Sequence, residues 1–234
     1  RERAGNDEFI GGLDDDTLEG LGGNDTLAGE EDNDVYIFAD NWGIDTVTEV
    51  ADEGSDTLNF SQVTADLTFV IDGANSVTVS DENGNSVSAS QVEVLYGGLG
   101  SNTLDYSSYG SDITVDLSAG TVEGEFQVLA IQNVTGTDSN DTITGGDQQN
   151  RIEGGLGNDT LVGGSGDDTY VFADNWGDET VSEESDSGAG TGIDTLDFSA
   201  VTQDLTFTVD AEGNVSVADD QGNKLSATNV EGLI

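Results

Sequence analysis

Apolar residues along this chain recur one at a time, set between polar neighbours at a fixed spacing of nine. From Glu2 four nonapeptides follow in register: ERAGNDEFI, GGLDDDTLE, GLGGNDTLA and GEEDNDVYI. Position eight is apolar or aromatic in each (Phe9, Leu18, Leu27, Tyr36), and position six is acidic (Asp7, Asp16, Asp25, Asp34). A second block, from Gly136 to Val171, reads GTDSNDTIT, GGDQQNRIE, GGLGNDTLV and GGSGDDTYV. Its eighth positions are Ile143, Ile152, Leu161 and Tyr170, and its sixth positions are Asp141, Asn150, Asp159 and Asp168. A lone apolar residue between two polar ones predicts a very short strand with one side chain pointing in. The six residues before it predict a turn. Eight such units in register predict a stacked solenoid, in which each rung is stabilised by its neighbours.

Between the blocks the pattern changes to longer alternation. DTLNFSQVTADLTF from Asp56, NTLDYSSYGSDITV from Asn102 and DTLDFSAVTQDLTF from Asp194 each lead into alternating runs that predict longer strands. Asn83–Gly84 and Gln221–Gly222 lie between such runs and predict tight turns. YIFADNWG (Tyr36–Gly43) recurs as YVFADNWG (Tyr170–Gly177), so block and spacer repeat together. The organisation expected is a nonapeptide block with its aromatic closing segment at 1–55 and a β spacer at 56–95. A shorter spacer follows at 96–135, with one isolated glycine-rich turn whose sixth position is Asn102. A second block with its closing segment occupies 136–193, and a second spacer occupies 194–234. The spacers are expected to continue the solenoid with wider rungs, a small separate β-sandwich being the alternative. The second copy stops at VEGLI, aligned with VEVLY (Val92–Tyr96), and the chain has no methionine, so an excerpt of a longer tandem array is expected. Phe38, Trp42, Phe172 and Trp176 are read as aromatic plugs at the ends of the blocks. An exposed glycan-binding platform is the competing reading.

Charge sharpens the picture. Of 234 residues, 49 are Asp or Glu and 4 are Lys or Arg, a formal charge of −45. So acidic a chain has no complement for nucleic acid or an anionic membrane, and no run is long enough for a membrane span. Compaction requires counter-charge, from divalent cations or from concentrated salt. Cysteine and histidine are both absent, which removes disulfides, thiolate sites and the commonest transition-metal ligand and general base. Catalysis within the chain is therefore not expected. Stacking rungs about 4.8 Å apart brings carboxylates of neighbouring turns together, and they repel unless a cation lies between them. Carboxylate and carbonyl oxygens in a flexible turn suit calcium better than magnesium. The candidate ligand turns carry Gly5, Gly11, Gly20, Gly23, Gly154, Gly157, Gly163 and Gly166 at positions one and four. There glycine allows positive φ and lets carbonyls turn inward. Asp14 and Asp32 occupy position four instead, adding charge and straining the turn.

GGLGNDTLV and GGSGDDTYV resemble the repeat of the RTX (repeats-in-toxin) family of secreted bacterial proteins, a known calcium-binding β-helix signature. The resemblance implies an all-β, right-handed parallel β-roll with two nonapeptides per turn, binding several Ca²⁺ ions between turns. It implies that Asp7 faces Asp25 and Asp16 faces Asp34, and that Asp141 faces Asp159 and Asn150 faces Asp168; with Asn in place of Asp, the last pair is expected to be the weakest of its block. Asp45 resembles one more ligand in the closing segment. Type I secretion as an unfolded chain, folding in external calcium, and a stalk role in an adhesin-like surface protein are implied too. The alternatives are the export module of a secreted enzyme and a calcium-assisted module for a glycan or surface ligand.

Overall fold

The computed structural model describes residues 5–51, 54–73, 76–122, 126–183 and 192–234. Among them there is no helix, so none long and apolar enough to cross a membrane. The chain divides into two compact units, residues 1–105 with 124–131, and residues 106–123 with 132–234.

In the first unit, successive nonapeptides alternate between two sheets. Glu8–Gly12, Thr26–Glu30 and Ile44–Thr48 pair in parallel in one sheet, while Thr17–Leu18, Val35–Ala39 and Thr57–Gln62 pair in parallel in the other. Phe9 lies opposite Leu27, and Leu18 opposite Tyr36, so two nonapeptides make one turn. The second unit keeps this register, with Ile143 opposite Leu161 and Ile152 opposite Tyr170. The fold is a parallel β-roll.

The period of two within each short strand puts the eighth-position side chain into the core. Leu27, Tyr36, Ile143, Ile152, Leu161 and Tyr170 are all fully buried. Most of the residues flanking them are exposed or half-buried, as Thr26, Thr142, Arg151 and Thr160 are, so charge and polarity stay on the outside.

The spacers depart from simple wider rungs. In the first unit Leu67–Gly73, Ser76–Asp81 and Ser86–Ser90 form an antiparallel meander. Its outer strands pair in parallel with Asn102–Asp105 on one side and Ile44–Thr48 on the other, so the meander belongs to the roll's own sheet. The second unit repeats it with Thr206–Val209, Val215–Ala218 and Lys224–Thr228, the last pairing in parallel with Asp178–Ser182. The tight turns cause the reversal. Gly84 and Gly222 sit at φ +88° and +107°, where only glycine is unstrained, and each chain doubles back within the sheet instead of crossing to the other.

The aromatic residues are core. Phe38 stacks on Phe60 with ring centroids 4.7 Å apart, and Trp42 packs edge-on to Phe60 at 5.7 Å. Phe172, Trp176 and Phe198 repeat this cluster in the second unit. Trp42 and Trp176 are each 1% exposed, so neither offers a face to a sugar.

Candidate metal centre

The turn places the sixth-position residue just before the strand, and strand register stacks these residues one above another. The result is a ladder of carboxylates and amides. The N–H of Asp7 donates to Asp25 Oδ1 at 2.8 Å, and the N–H of Asp25 donates to Asp45 Oδ1 at 2.8 Å. On the other edge of the unit, Asp16 N–H donates to Asp34 Oδ1 at 2.7 Å, Asp34 N–H to Asp56 Oδ1 at 2.8 Å, and Asp56 N–H to Glu93 Oε2 at 2.8 Å. The second unit runs Asp141 to Asp159 to Glu179, and Asn150 to Asp168 to Asp194 to Glu231, in the same sense. The structure thus brings together each pair read from the sequence and adds rungs from outside the nonapeptides.

This ladder uses one oxygen of each carboxylate. The second oxygen is a different matter. Oδ2 of Asp25, Asp34, Asp159 and Asp168 is buried with no hydrogen-bond partner, as are Glu179 Oε1 and Glu183 Oε2. An ionised oxygen removed from water with nothing to meet it is strongly unfavourable. A cation is the partner that such a set of oxygens calls for.

The glycines keep room for it. At position one, an added Cβ on Gly11 would lie 2.7 Å from Asp16 Oδ2 and 2.9 Å from the carbonyl oxygen of Gly29, one turn on. Gly20, Gly154 and Gly163 likewise face the Oδ2 of Asp25, Asp159 and Asp168. Carboxylate and carbonyl oxygens converge on a space that any side chain would fill. At position four the constraint differs. Gly23, Gly157 and Gly166 have φ between +119° and +142° and lie against the backbone of Gly5, Ser139 and Gln148 on the preceding turn. An added Cβ on Gly5 would meet no described atom within 4 Å. Asp14 and Asp32 at position four both adopt φ +72°, the strained conformation expected of them.

Burial pushes several of the carboxyls up. Asp45, Asp56 and Asp168 rise to about 6, with burial the largest cause, backbone N–H donors opposing it and neighbouring carboxylates adding to it. Glu49 rises to about 7 and Glu183 to about 8 for the same leading reason, helped by Asp56 and Asp194 respectively. Burial holds both carboxyls of the Glu179–Asp159 pair well above the ordinary range; the charge of Asp159 raises Glu179 further, while the contact with Glu179 lowers Asp159 and the charge of Asp141 raises it.

Not every sixth position is equal. Asp141 Oδ2 already accepts the Thr137 N–H at 2.6 Å, and its Oδ1 accepts from Ile113 N–H and the Thr137 hydroxyl. Asn150 presents its oxygen to Gly146 N–H at 2.7 Å and donates its amide to the Gln132 carbonyl at 2.6 Å. Asn102, in the isolated turn, goes further. Its Nδ2 donates to the carbonyls of Gly98, Gly100 and Ala130 at 3.0, 3.1 and 2.8 Å. That amide faces Gly97 and the Ala130 carbonyl just as Asp16 Oδ2 faces Gly11 and the Gly29 carbonyl. In this turn a neutral amide gathers the carbonyls by itself.

Sequence reasoning missed Glu49, Glu93, Glu179, Glu183, Glu231, Asp56 and Asp194. The signal was present, because all of them recur as acid for acid between the two copies: Glu49 with Glu183, Asp56 with Asp194, Glu93 with Glu231. Glu179 stands where the first copy has Asp45. A second, outer ladder at position five was also unforeseen. Asn6, Asn24, Asn140 and Asn158 accept backbone N–H groups from the following turn through Oδ1.

A parallel β-roll whose turns hold buried, hard oxygen donors around glycine-lined spaces is a calcium-binding repeat protein by its chemistry. The family model for the RTX calcium-binding nonapeptide repeat matches residues 3–36 and 135–170, and those two blocks form an RTX repeat region. No curated protein matches the chain by sequence. Among solved structures, the chain is similar to the extracellular lipase LipA from Serratia marcescens at 16% identity and a TM-score of 0.27. That match covers 92% of this chain and 38% of the lipase chain.

Proposed function

We propose that this calcium-binding repeat region is a structural element that stays unfolded where calcium is scarce and folds where calcium is abundant, outside the cell after secretion. The observation that carries this reading is the set of buried carboxylate oxygens without partners. Without a cation they oppose the fold, and with one they become its strongest contacts. Extracellular-type calcium sites have dissociation constants of about 10⁻⁴–10⁻³ M, so they are vacant at cytosolic calcium and fill outside. Ions that bind the folded chain alone stabilise it by mass action, and several modest sites add. The duplication of block and spacer supports a role as an extender in a surface or secreted adhesin-like protein, where length is the product.

Small-angle X-ray scattering of the same chain at chelated and at millimolar calcium tests this. In chelator the radius of gyration should approach the unfolded value, about 50 Å for a chain of this length, and calcium should reduce it sharply. A radius that is compact in chelator and indifferent to calcium would overturn the proposal.

A further inference from the structure

The last nonapeptide of each block is unlike the others. Position eight is Tyr36 or Tyr170, where the other repeats carry Phe9, Leu18, Leu27, Ile143, Ile152 and Leu161. Packing alone needs no hydroxyl there. Both tyrosines are fully buried, and each hydroxyl donates to a glutamate that lies beyond the matched repeats: Tyr36 to Glu49 and Tyr170 to Glu183. The position-one glycine N–H reinforces the same carboxylate, Gly29 to Glu49 at 3.2 Å and Gly163 to Glu183 at 3.0 Å.

The held glutamate meets two aspartates. Asp34, Glu49 and Asp56 offer oxygens that all lie within 4.8 Å of one another, and Asp168, Glu183 and Asp194 do the same. Arg151 and Lys224 lie instead beside Glu153 and Asp178. Independently of this clustering, Asp34 Oδ2, Asp168 Oδ2 and Glu183 Oε2 are buried without any hydrogen-bond partner, on residues at most 5% exposed. A polar atom so placed points to a ligand, and three carboxylates within reach of one another point to a divalent cation.

We propose that Asp34–Glu49–Asp56 and Asp168–Glu183–Asp194 are two further calcium sites, one closing each block, with Tyr36 and Tyr170 as positioning residues. The proposal rests on the reading that the turns bind calcium. A third carboxylate raises the charge count above that of a site built from two aspartates, and affinity for calcium follows charge count and rigidity. These closing sites therefore fill first as calcium rises, and each fastens the segment after its block to the final turn.

Isothermal titration calorimetry of calcium into the full chelator-treated chain reads both number and affinity. In the wild type two ions should form the tightest phase. Glu49→Gln with Glu183→Gln should remove that phase and leave the remaining ions bound. Tyr36→Phe with Tyr170→Phe should keep the count while weakening those two ions by about tenfold, as loss of a ligand's supporting hydrogen bond does. Circular dichroism at saturating calcium establishes that each variant is folded. If the Gln variant is not, Glu49→Asp with Glu183→Asp decides, because it keeps the charge but shortens the reach. Weakening of two ions there supports the proposal, and unchanged affinities overturn it. Unchanged binding in a folded Gln variant overturns the closing sites and leaves calcium binding by the turns intact. A wild type that binds no calcium overturns both.

Discussion

The backbone N–H of Asp16 donates to Oδ1 of Asp34 at 2.7 Å, one full turn of the roll away. The contact ties two negatively charged residues together through a neutral group, and it leaves the second oxygen of Asp34 buried and unmet. The ladder aligns the carboxylates, and it is the cation that makes their alignment favourable. Each turn is thus bound to its neighbour through backbone hydrogen bonds whose cost in repulsion depends on calcium.

Asp25→Asn separates these two parts. The amide oxygen can still accept from Asp7 N–H, which now reaches Asp25 Oδ1 at 2.8 Å, so the ladder survives. The charge does not. Calcium affinity at that rung should fall by about tenfold, while stability in chelator should rise because one buried negative charge is gone. Folding driven in chelator by a stabilising osmolyte should need less osmolyte than in the wild type, whereas folding driven by calcium should need more calcium. A variant that is weaker in both conditions would contradict the separation.

Gly20→Ala tests the space kept for the ion. Its Cβ would collide with the carboxylate of Asp25, and the expected destabilisation in calcium is about 1–3 kcal/mol, typical of overpacking. Gly110→Ala is the control, since nothing lies within 4 Å of a Cβ there and its φ is unrestricted. Equal effects at the two positions would mean that the turn glycines serve the backbone alone.

Acidity should act oppositely on the two forms of the protein. The carboxyls of Asp45, Asp56 and Asp168 at about 6, Glu49 at about 7 and Glu183 at about 8 all lie above their ordinary values of 3.8 and 4.5. A carboxyl raised by folding binds its proton more tightly in the folded state. Its contribution is therefore fully present below the ordinary value and is lost as pH rises through the folded value. In chelator the free energy of folding should become less favourable from about pH 4 to about pH 8. Calcium competes with those protons, so calcium affinity should rise over the same interval. The osmolyte concentration that folds the chelated chain, measured across that range, should rise with pH.

The nonapeptide pitch and the inward apolar position were legible from the strict period. The two-per-turn register, and with it the pairs Asp7–Asp25 and Asp16–Asp34, came from the resemblance to the RTX repeat, because a period of nine does not say how many units make a turn. Glu49, Glu183 and Asp56 were not legible in the same way. They lie outside the period, and among 49 acidic residues the sequence does not mark which few the register turns inward. The antiparallel meanders were hidden for a related reason. Alternation around Asn83–Gly84 predicts two strands and a turn, but not whether the second strand crosses to the other sheet or returns beside the first.

Asn102 offers a converse experiment. Its amide donates to three carbonyls, so Asn102→Asp places an acceptor against acceptors. In chelator, where a stabilising osmolyte must drive folding, the expected loss is about 1–3 kcal/mol, the cost of buried polar groups left unpaired. Calcium should restore part of that loss, because the substitution recreates the donor set of the other turns. A loss unaffected by calcium would show that this turn cannot accept the ion.

The most direct measurement is a calcium titration of chelator-treated protein followed by far-UV circular dichroism, with magnesium in parallel. A cooperative change from coil to β-structure at sub-millimolar to millimolar calcium, absent with magnesium, is the result expected of a roll held together by hard oxygen sites of this size. A chain already rich in β-structure in chelator, and unchanged by calcium, would contradict the central claim and leave a roll whose carboxylates are tolerated without any metal.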